Sequence, residues 1–109
     1  MSFWVVNLPD LTISNAGTTS NAIGSIDDAE AIVIYAPATL TGTVTVQVEP
    51  TETGTAWVDL TSGGSDVTIA AGNSVTITEG GFRQLRLSSS AAEGAARVFS
   101  VTKQFLVNR

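Results

Sequence analysis

The sequence predicts an all-β protein, a single antiparallel β-sandwich of jelly-roll or immunoglobulin-like type with about eight short strands. Three observations predict it. Apolar and polar residues alternate in short runs, most cleanly in "TVTVQVEP", where Val44, Val46 and Val48 point one way and Thr45, Gln47 and Glu49 the other. Such runs recur at the ~8–12-residue spacing of sandwiches and barrels, separated by turn-forming residues. No stretch sustains the apolar period of a helix.

Taken in order, "FWVVNLPDLTIS" opens with an apolar cluster that Pro9 divides, giving two short strands or an arm followed by a strand. "NAGTTSNAIGSIDDAE" is turn-rich, with Ile23 and Ile26 expected to pin it to the core. "AIVIYA" is apolar on both faces, Ile32 and Ile34 against Val33 and Tyr35, and so reads as a central or covered strand. "TVTVQVEP" ends at Pro50, "TETGTA" is a loop, and "AWVDL" returns. "TSGGSD" is a turn, and "VTIAAGNSVTI" reads as a hairpin bending at Ala71 to Asn73. In "FRQLRLSSS", Arg83 shares a parity with Leu85 and Leu87, which implies a bulge or a strand end near Phe82. "AAEGAA" is a loop with room for one helical turn. "RVFSVTKQFLV" closes the fold, with Phe99, Val101 and Phe105 on one face.

The 109 residues suit one domain, 1–109, with 1–10 as an N-terminal arm or edge strand. There is no cysteine and no histidine, which removes disulfides, thiolate chemistry and the commonest general base and neutral metal ligand. The net charge of −5 disfavours nucleic acid. All five basic side chains lie from Arg83 onward, so acidic and basic halves meet either within one sheet or across subunits. No segment approaches the ~20 apolar residues of a membrane span, and the start lacks a signal-peptide pattern. The expectation is a protein made in a cytoplasm and used as made.

Candidate chemistry is sparse. Asp27, Asp28 and Glu30 do not follow the spacing of a calcium loop and read as an acidic turn. Glu49, Asp59, Asp66 and Glu79 fall at strand ends, where two of them would have to converge in a cleft to act as a glycosidase pair. No nucleophile elbow or phosphate loop occurs. Trp57 turns outward with Asp59 if Val58 faces the core; it either anchors the sheet edge or hairpin, stacks on a sugar, or meets another subunit. "FWVV" puts two aromatics and two valines where a chain end ordinarily frays. It either adds a strand to its own sheet, with "KQFLVNR" as a suitable partner, or docks on a neighbouring subunit.

The "V-x-V-x-V-E" strand, the "G-T-A-W-V-D-L" return, the "S-D-V-T-I-A-A-G" segment and the "F-R-Q-L-R-L" strand resemble, across about Thr43 to Thr102, small β-sandwich virion proteins of tailed bacteriophages, of the head decoration or cement type. The resemblance implies a non-enzymatic, cofactor-free protein on the capsid surface of the virion. Its partners would be the major capsid protein and further copies of itself, as a dimer or trimer, with neither nucleic acid nor membrane involved. The contact residues it suggests are Phe3, Trp4, Val5 and Val6, then Arg83 and Arg86, because capsid exteriors are often acidic. Two other roles compete with it: a tail or fibre component, and a carbohydrate-binding or adhesion module.

Overall fold

Alternation becomes strand throughout, and every ladder is antiparallel. The computed structural model describes residues 2–24, 26, 28–51 and 55–107. Its strands are β1 (Ser2–Ile13), β2 (Ala31–Tyr35), β3 (Val44–Glu49), β4 (Val58–Asp59), β5 (Thr61–Ser62), β6 (Ser65–Asp66), β7 (Thr68–Ile69), β8 (Ser74–Ile77), β9 (Gln84–Ser89) and β10 (Arg97–Val107). No helix occurs among the described residues.

The first sheet has the order β1-β10-β2-β8. In the second, β3 pairs β9 along one edge and both β4 and β7 along the other. Bridges Thr19↔Ser88 and Ile23↔Leu85 lay the 18–23 segment on the far side of β9. The pairs are therefore nested: β1 with β10, 18–23 with β9, β2 with β8, β3 with β7, and successive pairs fall in alternate sheets. That wrapping of one long hairpin is the jelly-roll arrangement. β5 and β6 form a separate small hairpin. Its two-residue turn, Gly63 at φ 61° and Gly64 at φ 87°, supplies the positive φ angles that match strand twist.

The inward rows interdigitate into one core. Leu11, Ile13, Phe99, Val101, Ile32, Ile34 and Ile77 come from the first sheet, and Val44, Val46, Val48, Leu85, Leu87 and Ile69 from the second. Ile23 and Ile26, from the long β1–β2 connection, are buried with them.

Four local readings change. β1 is one strand, not two: the register shift between Leu8 and Leu11 inserts an extra residue around Pro9 and Asp10. A bulge on an edge strand is where a residue without an N–H is tolerated. "VTIAAGNSVTI" is not a hairpin, because β7 pairs with β3 and β8 with β2, so the bend at Gly72 (φ 73°) carries the chain from one sheet to the other. The 90–96 loop is a series of bends without a helical turn. Glu49 is not solvated on the outer face: it is fully buried under its own loop. There its carboxylate accepts from Thr51 N and Oγ1 (both 2.8 Å) and from Ala56 N (2.7 Å).

The 90–96 loop holds the other buried carboxylate. Glu93 is 1% exposed. Its Oε1 accepts from Thr41 N (2.8 Å) and Arg97 Nε (2.9 Å), and its Oε2 from Gly42 N (3.0 Å) and Ser89 Oγ (2.7 Å). Its backbone bonds Ala16 and Gly17. One residue, through side chain and backbone together, thus ties the connections β1–β2, β2–β3 and β9–β10. Gly42 is required by this approach: a Cβ there would lie 2.7 Å from Ala91 N and 3.0 Å from Ser90 Oγ.

Burial pushes the Glu93 carboxyl up, but donation from Thr41, Gly42, Ser89 and Arg97 outweighs it and holds the pKa at about 2. The Ala56 and Thr51 N–H groups hold Glu49 at about 2 against burial. Both folded values lie below the ordinary 4.5, so the stability these groups confer is complete above about pH 4.5 and is lost as pH falls toward about 2. Glu93→Gln is expected to cost about 2–4 kcal/mol in urea denaturation at pH 7, since it leaves mismatched donors around a buried amide. It also lowers the slope of stability against pH near pH 3 by about one proton. Gly42→Ala is expected to lose about 1–3 kcal/mol through the clash.

Candidate assembly surface

Pairing between β1 and β10 outruns the rest of the first sheet. β2 meets β10 only from Ser100↔Tyr35 to Gln104↔Ala31, whereas β1 continues to Ser2↔Val107. The two ends of the chain therefore leave the sandwich as a two-stranded ribbon, on a molecule 47 Å long and 28 by 25 Å across. Trp4 is 52% exposed, Val5 65% and Leu106 36%. The Trp4 ring sits 6.2 Å from that of Phe105, tilted at 56°. Val6, half-buried, lies opposite Lys103. The side chain of Phe3 lies outside the described residues.

Lys103 marks where the core stops. It follows Phe99 and Val101 on the inward row and is 8% exposed. Its Nζ is 2.8 Å from Asp28 Oδ1 and 5.3 Å from the Phe105 ring centre. The stem is buried while the ammonium reaches a surface carboxylate. The hydrogen bond from Lys103 draws the Asp28 carboxyl below its usual range. This pair joins the acidic and basic halves of the chain within one molecule. Asp27, beside it in sequence, lies outside the described residues.

β1 is an edge strand. Its inner half is covered: Asn21 Oδ1 accepts from Thr12 N at 2.8 Å, Asn21 Nδ2 donates to the Asp10 carbonyl at 3.0 Å, and Ile13 bridges Ser20. Among the described residues nothing covers the edge from Trp4 to Leu8. An uncovered apolar edge is a template for strand addition.

The outer face of the same sheet is uncharged. Alternation places Val5, Asn7, Thr12, Val98, Ser100, Thr102, Gln104, Leu106, Ala31, Val33, Tyr35, Ser74 and Thr76 on it. Tyr35 and Val98 are each 47% exposed. The charges of these strands go elsewhere: Lys103 and Arg97 point inward to Asp28 and Glu93, and Asp10 sits at the bulge. Of the two readings of its apolar faces, a central or a covered strand, β2 takes the first: it is central, with Ile32 and Ile34 buried, Val33 half-buried and Tyr35 exposed. The signal for this face was the Ser/Thr/Gln parity of "RVFSVTKQFLV", hidden among a sequence rich in hydroxyls.

Arg83 and Arg86 belong to the opposite sheet, so the structure does not join them to the ribbon. Arg83 precedes β9 and is exposed, which resolves the parity conflict as a strand end. Its N–H donates to the Glu49 carbonyl at 2.9 Å. Arg86 is half-buried on the outer face. Its Nε donates to Gln47 Oε1 at 2.8 Å, while Gln47 Nε2 donates to Asp59 Oδ1 at 3.0 Å. Its guanidinium lies 4.5 Å from the centre of the Trp57 ring. Trp57 does turn outward with Asp59, but Arg86 covers one face of the indole, leaving that face no room for a sugar ring.

The acids at strand ends are engaged separately. Glu49 holds its loop, Asp59 accepts from Gln47, and a hydrogen bond from Ser62 draws Glu79 below the usual carboxylate range. Among the described residues no group of three or more acids is placed to hold a metal ion. A cleft of about 240 Å³ lies between Leu40, Gly42, Thr43, Thr68, Ile69, Ala70 and Ala71, with no ionisable side chain in its lining. No helix among the described residues is long and apolar enough to cross a membrane.

No family model and no curated protein matches the chain. Among solved structures, one shares its fold and two others resemble it more loosely. A subunit of the Bacillus endospore appendages, a family of disulfide-linked pili, superposes with a TM-score of 0.53 at 21% identity, covering 98% of this chain and 88% of that one. A chain of the cyanophage Pam1 capsid gives 0.47 at 17% identity, over 97% and 85%. The Yersinia pseudotuberculosis-derived mitogen gives 0.47 at 8% identity, over 99% and 89%.

Trp57 and Arg86 hold each other on the sheet surface, so Trp57→Ala and Arg86→Ala are each expected to lower stability by about 1 kcal/mol. The double variant should cost less than the sum of the two, measured as a double-mutant cycle in urea.

Proposed function

We propose that this chain is a non-enzymatic structural protein that works by assembly. In this reading it binds the exterior of a phage capsid and stabilises the shell as a decoration or cement protein. The observation that carries the reading is the projecting β1–β10 ribbon. Its exposed Trp4, Val5 and Leu106 and its uncovered strand edge leave the sandwich as a ready docking element. Trp4, Val5 and Val6, with Phe3 in the same stretch of chain, are the assigned contacts to the major capsid protein. Arg83, exposed on the other sheet, is a secondary contact, whereas Arg86 is committed to Gln47 and Trp57.

Other features support it. A chain without histidine or cysteine lacks the usual nucleophile–base pairs. Its buried carboxylates are saturated with donors that order loops. Its fold is shared with a subunit of disulfide-linked pili, and a chain without cysteine would have to make any such assembly through non-covalent contacts. A protein that binds only the assembled shell stabilises it by mass action, about 2.7 kcal/mol at a hundredfold excess over Kd.

The test is co-sedimentation with heads and, separately, tails from the virus that encodes the chain. Wild-type protein is expected to pellet with heads and saturate. Trp4→Ser combined with Val5→Lys should weaken binding at least about tenfold, roughly 1.4 kcal/mol, with an unchanged circular dichroism spectrum. Pelleting with tails alone would establish the tail or fibre role instead, and pelleting with neither overturns the virion reading.

A further inference from the structure

We infer that the outer face of the first sheet is a contact between two copies of this chain, packed face to face. The inference rests on the assembly reading but names another region, the outward side chains around Tyr35, Val98 and Ser100 of β2 and β10, at the opposite end of the face from Val5 and Leu106 of the ribbon.

The solvent face of an antiparallel sheet ordinarily alternates into polar and charged residues. Here the paired outward positions carry Ser, Thr, Asn, Gln, Ala, Val, Leu and Tyr and no side chain charged at neutral pH. Depletion of charge is the compositional mark of an interface centre. The molecule as a whole carries −5, so two copies repel one another wherever carboxylates face carboxylates. The outer face of the first sheet has none to oppose. A basic partner would gain nothing there and would choose the acidic loops. A second copy of the same face matches it in polarity, with hydroxyls against hydroxyls and Tyr35 and Val98 as apolar anchors.

Geometry agrees. Tyr35 pairs with Ser100, and Val98 lies two residues before Ser100 on β10, so the anchors sit diagonally across the two central strands at the end of the sheet away from the ribbon. Both are half exposed with no further layer over them among the described residues. Four strands at ~4.8 Å spacing, each several residues long, give a patch roughly 20 by 25 Å, or on the order of 1,000 Å² over both copies. That is the low end of specific interfaces, so the contact is weak in free solution and strengthened where many copies share one particle. A two-fold axis makes it isologous, so each substitution on the face acts twice.

The test is sedimentation velocity of the purified full chain over a wide concentration range, at low and at high sodium chloride. Wild-type protein is expected to associate reversibly, and more tightly at high salt, because salt screens the repulsion between −5 molecules while the contact itself holds no ion pairs. Tyr35→Glu combined with Val98→Glu should weaken association at least about tenfold at an unchanged melting temperature. Ser100→Glu, at an exposed position between the anchors, is the second variant should the first fail to fold. A wild-type protein that stays monomeric throughout overturns the proposal. So does association that survives both glutamate variants and is lost in Trp4→Ser; that result assigns self-contact to the ribbon and leaves the docking function standing. Head binding lost while self-association persists would instead remove the proposed function and leave this interface in place.

Discussion

The antiparallel pairing of the first strand with the last is the constraint on which the rest of this structure depends. It joins residues almost a whole chain apart, from Ser2↔Val107 to Ile13↔Arg97, and the loop it closes is close to the largest the chain permits. Once β1 and β10 are side by side, β2 adds to β10 and β8 to β2, and the remaining strands have only the opposite layer to occupy. The same ladder creates the projecting ribbon, because it continues for three residue pairs after β2 has stopped.

Nested pairing leaves the connections between strands as the weak points, since several of them cross from one sheet to the other, without a disulfide and, among the described residues, without a helix. Two buried carboxylates meet that need. Glu93 draws three connections to one point at one end, and Glu49 folds the β3–β4 loop back on itself. Acceptors that take several backbone N–H groups each satisfy donors a loop would otherwise have to expose. Neither residue has the geometry of a catalytic acid: each is held ionised well below neutral pH with its oxygens fully engaged.

The two sheets divide the labour. The second carries the Trp57–Arg86–Gln47–Asp59 chain across its outer face, a surface tied to itself by hydrogen bonds and ring stacking. The first keeps its charges inward or at its rim and offers a plain, uncharged exterior. That asymmetry comes from where three cations lie: Lys103 and Arg97 reach Asp28 and Glu93, and Arg86 reaches Gln47 and Trp57.

The sequence by itself determined the strands, their inward rows and the shortage of reactive side chains, because side-chain alternation is a local, period-two property and composition needs no fold. Val44, Val46 and Val48 face the core as the pattern says, as do Phe99 and Val101. Only the tertiary structure decided which neighbours in sequence are partners in space. Val67 to Ile77 carries every local mark of a hairpin, yet its halves lie in different sheets, since the core they bury against lies on opposite sides of the bend. Glu93 and Glu49 look like surface acids in sequence; Glu93 is buried by donors that arrive from up to 52 positions away, and Glu49 by its own loop, which turns back to donate from Thr51 and Ala56. The uncharged face was equally hidden: it is assembled from alternate residues of β1, β10, β2 and β8, and no single stretch contains enough of it to be seen.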